Sequence, residues 1–290
     1  MNIRALITDL DNTLYDWVTF FALSFDAMVT ELTRILDVDR QSLLSQFKEI
    51  HQRYGSTETP WAALELPSAR RKFPQATSSQ LAEHLESAFH AFNSARKRHL
   101  RLYGGVAETL ESFINKGVMI IGHTEALPVN AFYRLALLGI AERFSRLYTI
   151  EGRVIDRPFP GQPRHSPPPD LIRALPPSER KPNPDVLLDI CNREGLSVQQ
   201  CLYVGDSLIR DVAMAKRAGA IAVWARYGTS YDPALWDLLV AVTHWSSADV
   251  ERESKLKKEF RNVRSDFTID SFDELITLCE SPKAARGILS

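Results

Sequence analysis

Asp9 and Asp11 stand two residues apart in DLDNTLYD, where a short apolar run, Ala5-Leu6-Ile7, comes to an end. In extended backbone, residues i and i+2 face the same side, so the two carboxylates can address one small volume. Like charges so placed repel unless a cation or a shared proton relieves them. A hard divalent ion does this, and Mg²⁺ accepts one or two carboxylates together with phosphate oxygens. A second apolar run ends in Gly122-His123-Thr124-Glu125. The Thr124 hydroxyl could donate to a phosphoryl oxygen, as could the backbone N–H groups beside it. His123, one place earlier, would face the other way and reads as a packed histidine. Lys181, in ERKPNPDVL, sits on a turn stiffened by Pro182 and Pro184, with Asn183 as a cap for the helix that follows. The fourth cluster is Gly205-Asp206-Ser207 after Leu202-Tyr203-Val204, with Asp211 beyond. Its glycine permits a tight turn, and Asp211 could reach back to the ion of Asp206, directly or through water. Each cluster has an ordinary reading when taken alone: an acidic loop, a strand-end threonine, a solvated lysine, a helix cap. Their succession is far more specific than any member.

The elements that must hold these groups follow from hydrophobic pattern. Residues 5–7 suit a buried parallel strand. From about Trp17 to Leu100 the pattern is helical: Phe21, Phe25, Met28, Val29, Leu32, Ile35 and Leu36 recur at three- and four-residue steps. Leu81, Leu85, Ala88, Phe89 and Phe92 repeat it after Ser78 and Ser79, which could cap. After Gly104-Gly105, helices at about 106–116, 128–140, 183–194 and 209–218 alternate with strands at 118–121, 147–150, 201–204, 221–224 and 267–269. A closing helix starts near Ser271. Such alternation predicts an α/β fold, a Rossmann-like doubly wound parallel sheet, with ligands outside the carboxyl ends of its strands. Residues 152–178, with half of the 16 prolines, read as an irregular loop. Residues 247–264, dense in alternating charge, read as a solvated helix.

Composition narrows the functional classes. An apolar share of 44% suits a sizeable core, and a formal net charge of -1 lacks the basic excess of a nucleic-acid binder. No apolar run is long enough to span a membrane, and the acidic start is unlike a signal peptide. Cys191, Cys201 and Cys279 read as buried or semi-buried thiols of a reducing compartment. A cytoplasmic protein is expected; the sequence sets no oligomeric state.

In order and placement, DLDNT, Thr124, Lys181 and GDS with Asp211 resemble the four signature motifs of the haloacid dehalogenase superfamily. The resemblance covers residues 1–15 and 103–290 as the catalytic core, with 16–102 similar to the helical C1-type cap inserted between the first two motifs. It implies Asp9 as the nucleophile that forms an aspartyl-phosphate, and Asp11 as the acid/base. It implies Thr124 and Lys181 as phosphoryl-holding groups, Mg²⁺ on Asp9, the Asp11 backbone carbonyl and Asp206, and Asp211 supporting the ion. Asn12 stands where the family often has glycine, and asparagine tolerates the same dihedrals. Dehalogenases typically lack the second aspartate, so Asp11 implies phosphoryl transfer. The expected function is a phosphatase of small phosphorylated metabolites. A sugar-phosphate mutase and a non-catalytic binding or regulatory protein on the same fold are the alternatives. The 152–178 stretch is expected to shape substrate access at the rim, through Arg153, Arg157, Arg164 and Arg173.

Overall fold

The apolar runs that end in the four clusters become neighbouring strands of one sheet. In the computed structural model, which describes residues 2–59, 61–159 and 165–280, seven strands lie in the order β4-β3-β2-β1-β5-β6-β7. They are β1 (Ala5–Thr8), β2 (Met119–His123), β3 (Arg146–Ile150), β4 (Ile172–Leu175), β5 (Cys201–Gly205), β6 (Ile221–Ala225) and β7 (Phe267–Ile269). Every pairing is parallel. The chain builds outward from β1 to β4 on one side, then returns to lay β5 against the other side of β1. Strand order therefore reverses around β1, and a crevice opens at the carboxyl ends there. Thr8 pairs with Gly122 and with Val204, so Asp9, His123 and Gly205 leave the sheet at one level.

Among the described residues, twelve α-helices accompany the sheet. Between β1 and β2 come α1 (Trp17–Leu36), α2 (Arg40–Tyr54), α3 (Pro67–Lys72), α4 (Ser78–His84), α5 (Glu86–His99) and α6 (Val106–Asn115). Further along come α7 (Pro128–Leu137), α8 (Pro184–Arg193), α9 (Ala213–Ala218), α10 (Pro233–Ala241), α11 (Ser247–Glu259) and α12 (Glu274–Glu280). Alternate residues of β1 serve opposite cores. Leu6 joins a cluster that runs into α1, α2 and the rest of the helical segment, while Ala5 and Ile7 join one built on α8 and α9. On α1 the expected stripe is buried except for Ile35, which is partly buried, and Phe25 packs edge-on against Phe47 of α2 at 4.9 Å. Cys191 and Cys201 are free, buried and spatial neighbours, their sulfurs 3.6 Å apart.

Three details differ from the pattern reading. Residues 172–175 are the edge strand β4, not irregular loop: the free edge of β3 takes up their backbone groups in a parallel ladder. Flanking prolines had masked so short a run. Thr77, not Ser78 or Ser79, caps α4, in a reciprocal box with Gln80. The stretch after β6, where the pattern assigns no helix, forms α10, which packs against α1 and α2. The charged stretch does form the solvated helix α11, with no buried residue, although Glu253 on it pairs with Arg210.

Candidate active site

Asp9 follows β1 directly and is 8% exposed. Its N–H donates to the Val204 carbonyl at 2.9 Å, which ties the start of the loop to β5. The next residues turn sharply: Asn12 has φ 58°, and its side-chain oxygen accepts the N–H of Trp17 at 3.1 Å at the head of α1. Asparagine thus supplies the left-handed backbone that this turn requires.

Lys181 reaches this edge from the loop before α8, whose Asn183 cap accepts the Asp185 N–H. Its buried ammonium donates to Asp9 Oδ1 at 2.5 Å and to Asp211 Oδ1 at 2.7 Å. Burial alone would push the lysine toward neutrality. Asp211 and Asp9 outweigh it and hold the group well above its usual range, fully charged. Asp211 also accepts the Tyr203 hydroxyl at 3.3 Å and the Ser207 N–H at 3.1 Å. A Cβ at Gly205 would lie 2.4 Å from the Asp211 carboxyl carbon, so only glycine lets this carboxylate fold back over β5.

Asp206 does not cap the following turn; Ser207 does, accepting the Arg210 N–H. The Asp206 carboxylate is left for the crevice, and oxygens of Asp9, Asp206 and Asp211 lie within 4.8 Å of one another. Three acids share one lysine. Burial, opposed by Lys181 and reinforced by Asp211 and Asp11, pushes Asp9 up to about 7. Burial and the charges of Asp9 and Asp211 drive Asp206 well above its usual range. Such a cluster is short of positive charge, and its all-oxygen donor set suits a hard divalent cation.

The Asp11 carboxylate lies outside this trio. It accepts the Tyr15 hydroxyl at 2.8 Å and pairs with the guanidinium of Arg134 at 3.1 Å. Arg134, on α7 and 3% exposed, also donates to the Tyr15 hydroxyl at 2.8 Å and pairs with Glu58 of the helical segment. Glu58 accepts the Trp17 indole N–H as well. Burial raises the Glu58 pKa against the pull of Arg134, while Asp11 and Glu58 overcome burial to keep Arg134 charged. Pattern reading missed Arg134 and Glu58. An arginine among the buried Ala131, Phe132 and Leu135 of α7 was the available signal, because arginine is rarely so buried unless paired. Nothing marks Glu58 in the sequence.

Thr124, buried just past β2, accepts the Ala126 N–H on its hydroxyl at 3.1 Å. His123 packs against Tyr203, with Nδ1 3.2 Å from the phenol oxygen. Burial, then Lys181, drives its pKa well below the usual value, so the ring is neutral. Of the arginines expected at the rim, Arg153 lies over the Tyr54 ring at 5.5 Å. Arg173 turns to Asp170 at 3.7 Å, and Arg164 falls outside the described residues. Phe159 stacks edge-on against Trp61, joining the proline-rich stretch to the helical segment. None of the helices among the described residues is long and apolar enough to cross a membrane.

The family model described as haloacid dehalogenase-like hydrolase matches residues 3–219. The chain belongs to that family. This membership makes it a hydrolase. Along 236 residues it is 24% identical to a glyceraldehyde 3-phosphate phosphatase of Methanopyrus kandleri, covering 79% of this chain and 87% of that one. A local match of 56 residues, 45% identical, joins it to the phosphoglycolate phosphatase of Escherichia coli K12, over 19% of this chain and 22% of that one. Among solved structures, a 2-haloacid dehalogenase from Pseudomonas syringae superposes with a TM-score of 0.56 at 16% identity, covering 96% of this chain and 98% of that one. A phosphatase of the family from Thermococcus onnurineus superposes with a TM-score of 0.53 at 18% identity, with the same coverage. These likenesses agree on the fold.

Proposed function

We propose that this hydrolase is a Mg²⁺-dependent phosphatase of small phosphomonoesters, with Asp9 as nucleophile and residues 16–102 as a helical cap over the crevice. The observation that carries the reading is the convergence of Asp9, Asp206 and Asp211 around one point with Lys181 bonded between two of them. The acid-rich, charge-deficient cluster fits a divalent cation, which Asp9, Asp206 and the Asp11 backbone carbonyl would hold, with Asp211 in support. When bound, Mg²⁺ supplies positive charge against the phosphoryl oxygens.

The chain's own groups account for the rest. An Asp9 carboxylate oxygen attacks phosphorus, the P–O bond to the leaving alcohol breaks, and an aspartyl-phosphate forms. Lys181 and Thr124 hold phosphoryl oxygens, lowering the cost of bringing one anion onto another. Asp11, having first taken up a proton from solvent, gives it to the leaving oxygen, then takes one from the water that attacks the aspartyl-phosphate. Inorganic phosphate leaves and Asp9 is regenerated. Retention of Asp11 favours phosphoryl chemistry over dehalogenation, since a halide needs no proton.

The test is phosphate release across a panel of phosphomonoesters, with and without Mg²⁺, for the native chain and Asp9→Asn. Release that requires Mg²⁺ and disappears in a folded Asp9→Asn variant is expected. Near-native turnover by that variant would refute Asp9 as nucleophile.

A further inference from the structure

A cavity of about 300 Å³ opens at the seam between the end of α2, the loops after β2 and β3, and the segment around α11. None of Asp9, Asp206 and Asp211 lines it, yet it abuts the catalytic edge. Arg180 on its wall directly precedes Lys181, and Glu125 directly follows Thr124. The Lys181 backbone is bonded to this wall on both sides: its N–H donates to Glu125 at 3.0 Å, and its carbonyl accepts from Arg252 at 3.0 Å.

Formally four arginines and four acids line the walls, but they are not equally engaged. Arg210 bridges Glu125 at 2.9 Å and Glu253 at 2.8 Å, which occupies all three. Asp249 accepts the N–H and the hydroxyl of Ser246 as part of the α11 cap. His244 is engaged with Thr57 at 2.9 Å. Among the described residues Arg153 overlies Tyr54 and joins no ion pair, Arg180 joins none either although its charge acts on Asp249, and Arg252 spends one N–H on Lys181. A guanidinium offers five N–H donors in a planar fork. Among the described residues the cavity therefore presents guanidinium N–H donors outside any ion pair on Arg153, Arg180 and Arg252, and Glu151 is the one wall carboxylate with neither an ion pair nor a side-chain hydrogen bond.

We propose that this cavity is a second anion site, holding a carboxylate or phosphoryl group through Arg180, Arg252 and Arg153. Its volume suits a small-metabolite fragment, and planar guanidinium forks match the two oxygens of such a group. Because it adjoins Lys181, the group belongs to the substrate: the enzyme takes phosphomonoesters that carry a second anionic function. That substrate class rests on the phosphatase reading above, whereas the anion site itself does not. A free small anion offers the same chemistry and is the other source to be separated.

Calorimetric titration of the full chain with malonate, a dicarboxylate without phosphorus, reads the site independently of catalysis. Saturable binding that weakens at least about tenfold in Arg180→Gln and in Arg252→Gln is expected, as for loss of charged hydrogen bonds. No saturable binding, or binding that both variants retain, overturns the site. Kinetics with 3-phosphoglycerate and glycerol 3-phosphate then assign the source. A kcat/KM ratio of about ten or more for the carboxylate ester, falling toward one in both variants, places the group on the substrate. A ratio near one, with malonate altering glycerol 3-phosphate turnover in the native chain but not in Arg180→Gln, overturns the substrate class and assigns a separate anion. A ratio near one without a malonate effect overturns any link to turnover. Malonate binding without hydrolysis of any ester would remove the phosphatase reading and leave the anion site standing.

Discussion

Replacing Arg134 with methionine removes the cation that, among the described residues, pairs with both Asp11 and Glu58, while keeping much of the side chain's apolar volume. The guanidinium is 3% exposed and contacts both carboxylates and the Tyr15 hydroxyl. Taking one partner from a buried ion pair costs about 3–5 kcal/mol, and the Asp11 side chain, 26% exposed, keeps some water while Glu58, 13% exposed, keeps less. Glu58 can relieve part of this by protonating, since burial already raises its pKa, so a loss near 3 kcal/mol is expected. For a domain of this order each kcal/mol lowers Tm by about 2–4 °C, which predicts a fall of about 6–12 °C. The effect on turnover should depend on the leaving group. If Asp11 delivers the proton, losing its anchor costs up to about 10²–10⁴ in rate on an alkyl phosphate. 4-Nitrophenyl phosphate, whose leaving group departs as a stable anion, should lose far less. Arg134→Lys restores the charge without the fork and should recover Tm more than alkyl-phosphate turnover. Thermal unfolding by circular dichroism, with initial rates on glycerol 3-phosphate and 4-nitrophenyl phosphate, supplies the readout. Equal loss on the two esters, or an unchanged Tm, would refute the positioning of Asp11 by Arg134.

Two further outcomes follow from the buried titrating groups. Because burial holds Asp9 near 7 without a cation, Mg²⁺ should bind more tightly as pH rises from 6 to 8 and release protons on binding. Titration calorimetry in buffers of different ionisation heat reads this, and Asp206→Asn should abolish the binding; affinity independent of pH would contradict the site. His51 of α2 is bonded through Nδ1 to the Val242 carbonyl at 2.7 Å, and burial lowers its pKa from 6.5 to about 4. The unfolded chain therefore takes up the proton first. The contribution of neutral His51 is fully present above pH 6.5 and is lost as pH falls toward 4, by up to about 3 kcal/mol. Urea unfolding from pH 7 to pH 4 should show this decline, less steeply in His51→Gln; parallel slopes for the two proteins would count against it.

What was legible in the sequence was local. An apolar run stopped by a carboxylate reports both the strand and the group at its end, because alternation along a strand and the ends of helices are set within a few residues. Asp9, Thr124 and Asp206 were marked in this way, Lys181 by the proline turn before a helix and Asp211 by its place just beyond Asp206, and the strand–helix alternation marked the parallel α/β sheet. The edge strand β4 was not, since four residues between prolines pair only because β3 offers a free edge.

The charge relationships were decided in three dimensions. Lys181 meets Asp9 across 172 residues of chain, and Arg134 meets Asp11 across 123. No periodicity encodes such partners. Sheet register sets the level at which β1 and β5 release their carboxylates, and the docking of α7 and the helical segment sets which cation each finds. By itself, the sequence determined which residues could do chemistry and on which elements they stand. The tertiary structure decided that Asp9 shares its cation with Asp211, that Asp11 is held by Arg134, and that a cavity walled by four arginines and four acids lies beside them. Pairing and burial depend on packing between distant segments, whereas helix and strand patterns do not.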